Sequence, residues 1–371
     1  MNVVLTRLSL HQFTCCPVFG TSQSFKVFNS YVSKSFSPFF RGEGRLSVEM
    51  SSFKDFLSHP IAFVSCISRI NNPDSTVTVT NSHFCSCSSN EPGGAIYTTH
   101  NNATVVISNC VFHDCSSTGS VAVSFISSGM YAGGGGCALL CSKFYVTKCC
   151  FSNCFSVERG PALFTASNGF EDAVFNTSVI VCATGGICPI HFGKGRDIMS
   201  NVNSTLNTCN FLPGGAFTYS GISNILQYSN IFHGVSTQTG LSFPSRAFDF
   251  ALGSTEETCR MCNVVNNSNQ NIDKCTIYSY HQQITFIGFV FYQNDAPIFQ
   301  KMYGSIIIKD CVSDTSQIGS VTESSGNTIG TIQVSLLTLS IPDVCNVYRH
   351  SVQRKDSIKN LCNFVFLLAA Y

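Results

Sequence analysis

Between Asn81 and Leu163 one short pattern is written three times, and this recurrence limits the possible folds more than any other feature of the chain. A β-branched or apolar run leads to a phenylalanine flanked by cysteines, and a Gly-containing turn then opens another apolar run. The copies read Asn81-Ser-His-Phe-Cys-Ser-Cys87 with Gly93-Gly-Ala-Ile-Tyr97, Asn109-Cys-Val-Phe-His-Asp-Cys115 with Gly119-Ser-Val-Ala-Val123, and Lys148-Cys-Cys-Phe-Ser-Asn-Cys154 with Gly160-Pro-Ala-Leu-Phe164. A unit this small cannot bury its own apolar face, so it must stack on its neighbours.

The pattern continues with drift. With the aromatic or its substitute as marker, Phe84, Phe112, Phe151, Ile180, Phe211 and Phe232 follow at intervals of 28, 39, 29, 31 and 21 residues, and Phe291 and Val312 extend the series. Gly185-Gly186, Gly214-Gly215, Gly240 and Gly319 supply turn signals behind most of them. Gly129 and Gly133 to Gly136 fall in the long interval from Phe112 to Phe151 and read as an inserted loop.

The runs themselves are strand-like. Ile61 to Cys66, Thr76 to Thr80 and Thr104 to Ser108 are short, β-branched and bounded by turn residues. In Thr76 to Thr80, Val77 and Val79 share one face and the threonines the other. Short strands in a unit of this length, without helical periodicity, predict an all-β parallel β-helix in which like residues stack as ladders. Roughly ten coils fit between His59 and Cys345, each rising about 4.8 Å.

Composition agrees with that architecture. Charged residues make up 11% of the 371, which leaves Ser, Thr, Asn and Gly to cover the surface, as strands and tight turns allow and helices do not. The 32 Phe and absence of Trp predict a core of rings that need no polar partner. A net charge of +1 without a basic run excludes nucleic acid as a partner. The 21 cysteines, an odd number, are open to two readings: several disulfides, or a ladder of buried reduced thiols.

Three segments are expected. Residues 1–58 show no repeat and read as an irregular N-terminal cap, with an amphipathic helix over Leu46 to Leu57. Residues 59–345 form the β-helix, and residues 346–371 a tail whose apolar end, Leu361 to Tyr371, is either a final strand or the start of a truncated anchor. Met1 to Gly20 fails as a secretory signal, and no stretch reaches the roughly 18 apolar residues of a membrane span.

Two tetrapeptides carry a resemblance. Gly93-Gly-Ala-Ile96 and Phe291-Tyr-Gln-Asn294 match the GGAI and FxxN signatures of the polymorphic outer membrane protein family, and similar repeats occur in protist surface proteins. Gly214-Gly-Ala-Phe217 is a near match, and Phe84 to Cys87, Phe112 to Cys115 and Phe151 to Cys154 read FxxC. What the resemblance implies, over about residues 80–315, is a right-handed parallel β-helix on a cell surface, acting in adhesion or as a coat. The chain shows neither that family's signal peptide nor its C-terminal barrel.

Candidate chemistry is sparse. Pectin-acting hydrolases and lyases share a pectin-lyase-like scaffold, and glycoside hydrolysis needs paired carboxylates about 5 to 9.5 Å apart. Asp310 and Asp314, with Asp295 a coil earlier, are the candidates; Asp114 directly follows His113 and is expected to point away from it unless the two stand at a turn. No Ser, His and Asp arrangement stands out. Cys259, Cys262, Cys275 and His281 have a zinc-like order, weighed against core cysteines and against a disulfide. Gly133 to Gly136 lacks the Lys and Ser/Thr of a phosphate loop, and Gly193-Lys194-Gly195-Arg196 reads as a solvated turn. Asn102, Asn176, Asn203 and Asn266 stand in glycosylation sequons.

The expectation is therefore a non-enzymatic, adhesin-like β-helix without cofactor, secreted or at the cell surface, whose partner is a host or cell-surface protein or glycan. The alternatives are a carbohydrate-active lyase or hydrolase on the same scaffold, a decayed family copy, and a cytoplasmic location.

Overall fold

The computed structural model describes residues 2–63, 75–99, 102–118, 121–122, 131–132, 134–157, 160–167, 171–184, 190–192, 195–209, 216–219, 221–236, 248–251, 256–269, 275–280, 282–294, 297–301, 303–330 and 333–337. Every regular element among them is a β-strand. One full coil shows the plan: strands Cys137–Cys141, Lys143–Thr147, Cys150–Ser152 and Phe155–Ser156, here called columns a, b, c and d. Equivalent strands of successive coils pair in parallel. Column c is a 13-stranded sheet and column d a 7-stranded one. Columns a and b merge into one 22-stranded sheet, because Val18–Phe28 and Phe40–Glu49 run through both. The chain is an all-β parallel β-helix.

The corners on either side of column c set the repeat. Residues with left-handed backbone stand five apart in coil after coil: Arg7 and Gln12, Asn29 and Lys34, Met50 and Asp55, Asn81 and Ser86, Asn109 and Asp114, Lys148 and Asn153, Asn176 and Val181, Asn201 and Leu206, Tyr228 and His233, Met261 and Asn266. Asn and Asp adopt this conformation readily, which is why Asn recurs there. Stacking over-determines the others, such as Val181, since each corner N–H donates to a carbonyl of the next coil, as Asn81 does to Ser108 at 3.1 Å.

Four residues fit between the corners; the last three form the column c strand, and the middle one of these faces inward. In register these are Leu10, Val32, Phe53, Phe84, Phe112, Phe151, Val179, Ser204, Ile231, Val264, Phe291 and Ser313. Phe84 stacks on Phe112 at 4.9 Å and Phe112 on Phe151 at 4.6 Å, with rings within 3° and 6° of parallel. Three of the sequence markers are thereby corrected. Ile180, Phe232 and Val312 lie one place off this ladder, on the outward side, because a slip of one residue in a strand reverses the face. Phe211 lies outside the described residues.

None of the described cysteines is in a disulfide. Two inward ladders explain their number. At the b–c corner, Ser30, Ser51, Ser82, Cys110, Cys149, Thr177, Ser229, Cys262 and Cys311 each donate to the carbonyl two residues earlier. At the c–d corner, Cys87, Cys115, Cys154 and Cys182 reach the carbonyls of Phe53, Phe84, Phe112 and Phe151 in the preceding coil, as Asn207, Asn267 and Asn294 reach those of Val179, Ile231 and Val264. FxxC and FxxN are thus one device: a small inward donor that satisfies the carbonyl below.

The Gly-rich turns lead into column a. A Cβ on Gly94 would stand 2.2 Å from the Gly135 carbonyl oxygen, so only glycine lets these two coils approach. Gly134 to Gly136 is therefore the turn equivalent to Gly93 to Ala95, not a loop; the insertion is the antiparallel hairpin Val121–Ala122 with Tyr131–Ala132. Gly119 lies outside the described residues. In Gly214-Gly-Ala-Phe217 the motif is one residue out of phase, since Ala216 takes the Ile96 position and Phe217 that of Tyr97.

The segment boundaries also change. Coils begin at Asn2, with Asn2–Thr6 paired to Val18–Phe28 and that strand to Phe40–Glu49, so residues 2–58 are stacked coils rather than an irregular cap. The helix expected over Leu46 to Leu57 is strand, corner and strand: Leu46, Val48, Phe53 and Phe56 are buried by alternation and corner placement, a pattern that also satisfies helical spacing. The tail 346–371 lies outside the described residues.

Candidate functional site

The row of column a that begins at Arg41 brings residues of different coils into register. In register it reads Arg41, Ala62, Tyr97, Ala138, Phe164, His191, Phe217, Asp249, Tyr278 and Gln300. Ala62, with only a methyl group, separates Arg41 from Tyr97. Beside it the His59 imidazole packs against the Tyr97 ring, centroids 5.3 Å apart.

His59 is held on both nitrogens. Nδ1 lies 3.2 Å from Ser89 Oγ, and Nε2 lies 3.8 Å from Glu91 Oε2. Burial, with the Arg41 guanidinium adding to it, lowers its pKa from 6.5 to about 4. Burial and then the Glu91 carboxylate raise Tyr97 to about 12. At neutral pH the pair is therefore a neutral imidazole and a protonated phenol. His59 is 4% exposed and Tyr97 7%, whereas Arg41 is exposed and Glu91 63% exposed, so two buried groups lie beside two exposed charges. Sequence reading missed this cluster because His59, Glu91 and Arg41 belong to different coils; only coil register brings them together.

A second cluster contradicts the expectation that no Ser, His and Asp arrangement forms, and it meets the exception made for a turn at Asp114. His113 and Asp114 do not point apart: the left-handed backbone of Asp114 turns it back, and His113 Nε2 lies 3.1 Å from its carboxylate. His113 Nδ1 meets Ser152 Oγ at 2.9 Å, which completes a Ser, His and Asp set. The same His–Ser contact occurs at the equivalent rung between His11 and Ser33, at 2.7 Å. It is a ladder contact of column c.

Two carboxylates stand inside. Asp197 and Glu257 belong to column b, where the register row runs Val105, Phe144, Asp172, Asp197 and Asn224. Asp197 and Glu257 are buried among core residues and so face no groove. Asp310 and Asp314 do not share a strand face, since they flank the two-residue strand Val312–Ser313, Asp310 with left-handed backbone. Asp314 accepts the Gln293 N–H at 2.8 Å. Asp295 lies outside the described residues.

Of the zinc-like set, Cys259, Cys262 and Cys275 are buried, and burial raises Cys262 to about 12, far from the thiolate a metal binds. His281 lies outside the described residues, and among those described no three His, Cys, Asp or Glu are grouped to hold a metal. Gly195 and Arg196 begin the strand Gly195–Ser200. Of the sequons, Asn102, Asn176 and Asn266 are half-buried at turns, whereas Asn203 is buried.

No family model matches the chain, and no curated protein matches it. A solved structure described as a mannuronic acid specific polysaccharide family 6 lyase enzyme from human gut microbiota aligns over 88% of this chain and 76% of its own, with 11% identity and a TM-score of 0.32. The likeness concerns the fold alone. That neighbour is a lyase, so the comparison gives no support to the expectation of a non-enzymatic chain. No described helix is long and apolar enough to cross a membrane.

Proposed function

We propose that the chain is a carbohydrate-active protein that cleaves an acidic polysaccharide by elimination at Arg41, His59 and Tyr97. The observation that supports this reading is the pairing of a neutral His59 with a protonated Tyr97 beneath an exposed guanidinium. Arg41 neutralises the uronate carboxylate, which acidifies the neighbouring C–H. His59 takes that proton; the C–O bond to the leaving sugar breaks; the Tyr97 hydroxyl protonates the leaving oxygen. The products are an unsaturated sugar end and a free hydroxyl, and the proton on His59 returns to the Tyr97 phenolate. An incoming carboxylate raises the His59 pKa, so the imidazole becomes a better base once substrate is bound. A polymer of this kind is met outside the cell, so this reading includes a secreted or cell-surface location and a glycan partner.

The test is a panel of polyuronates, polymannuronate among them, followed by the ultraviolet absorbance of unsaturated ends. Wild type is expected to generate absorbance, and His59→Ala and Tyr97→Phe to lower the rate about a hundredfold or more. No absorbance with any polymer, or equal rates in folded variants, refutes the reading.

A further inference from the structure

The outward first position of column c reads Ser9, Tyr31, Ser52, His83, Val111, Cys150, Ser178, Asn203, Asn230, Asn263, Val290 and Val312. In a β-helix such positions meet water, and Ser9, Tyr31 and His83 do. From Val111 to Val290 the row is buried, although Val111, Cys150 and Val290 stand apart from the central core cluster. A strip on the outside of the helix is therefore covered.

Asn263 identifies an occupant. Its amide nitrogen donates to the Leu337 carbonyl at 2.8 Å, and its oxygen accepts the Leu337 N–H at 2.9 Å. A side-chain amide carries the same donor and acceptor as a peptide unit, so Asn263 pairs with Leu337 as one strand pairs with another. The row continues inward along the strip: Asn263 donates to Asn230 at 2.7 Å, and Asn230 to Asn203 at 2.6 Å. At its far end the buried Ser178 hydroxyl has no hydrogen-bond partner.

We propose that Asn263, oriented by the amide row of Asn230 and Asn203 behind it, is a peptide-recognition amide on the outer face of column c, whose occupant is the segment 333–337 of the same chain, folded back as a strap. Recognition is through a donor and an acceptor of the Asn263 amide paired with one peptide unit, so it reads main chain rather than side chain. The strip lies on a different column from the proposed cleavage site, and neither reading depends on the other.

The test uses a chain ending at Gly330 and a fluorescent synthetic peptide of residues 331–341. The truncated chain is expected to bind the peptide by fluorescence anisotropy, and the full chain at least about tenfold more weakly, because its strip is occupied. Asn263→Leu in the truncated chain is expected to weaken binding at least about tenfold through two lost hydrogen bonds. A folded truncated chain that does not bind, or binding unchanged by Asn263→Leu, overturns the proposal. Should truncation unfold the protein, the full chain with Asn263→Leu is expected to be cut by protease between residues 330 and 338 faster than wild type; equal rates overturn it. A dimer of the full chain that dissociates on truncation overturns the assignment to the same chain.

Discussion

Replacing Phe112 by alanine removes the centre of the aromatic stack. Its ring is fully buried between Phe84 at 4.9 Å and Phe151 at 4.6 Å. Burying a phenylalanine and then deleting it destabilises by about 3–5 kcal/mol, made up of lost transfer free energy and the cavity left behind. The two ring contacts account for about 0.5–1.5 kcal/mol each within that total. The cavity closes poorly here, because both neighbouring rings hang from backbone ladders that fix the coil spacing, so the loss falls toward the upper end, about 4–5 kcal/mol. Phe232→Ala is the control: the same chemistry on the outward side of the same column, half-buried, with a loss of about 1 kcal/mol. Urea unfolding followed by far-ultraviolet circular dichroism gives both values from midpoint and slope. If Phe232→Ala costs as much as Phe112→Ala, or Phe112→Ala costs under about 1 kcal/mol, the register derived for column c is wrong.

Two further outcomes follow from the same geometry. His59 has a folded pKa of about 4 against an ordinary 6.5, so the unfolded chain binds the extra proton between those values; stability is expected to be full above pH 6.5, to fall by about 3 kcal/mol as pH drops through that window, and to show a flatter slope in His59→Gln. Asn207 accepts the Cys182 N–H at 2.8 Å and donates to the Val179 carbonyl at 3.1 Å, so Asn207→Leu is expected to cost about 1–3 kcal/mol for each buried group it orphans. Cys182→Asn, which copies the next coil, is expected to change the urea-derived stability by less than about 1 kcal/mol; a larger loss contradicts the equivalence of FxxC and FxxN.

The sequence by itself determined the architecture. Phe, a small donor such as Cys or Asn three residues later, and Asn at the preceding corner recur because each coil must meet the same local demands: an inward ring, a partner for the carbonyl below, and a left-handed corner. Those demands are local, so they are written locally. Phase was less legible: Val179 and Ile180 are equally apolar, and a strand of three residues cannot say which faces inward, whereas the corners at Asn176 and Val181 can. The helical reading of Leu46 to Leu57 failed for the same reason, since one short window fits two periods. What only the tertiary structure decided is which residues meet across coils. Coil length varies with loops and a hairpin, so nothing in the spacing of Arg41, His59, Glu91 and Tyr97 marks them as neighbours. Asn263 and Leu337, 74 residues apart, are joined only because the chain turns back over the outside of its own helix.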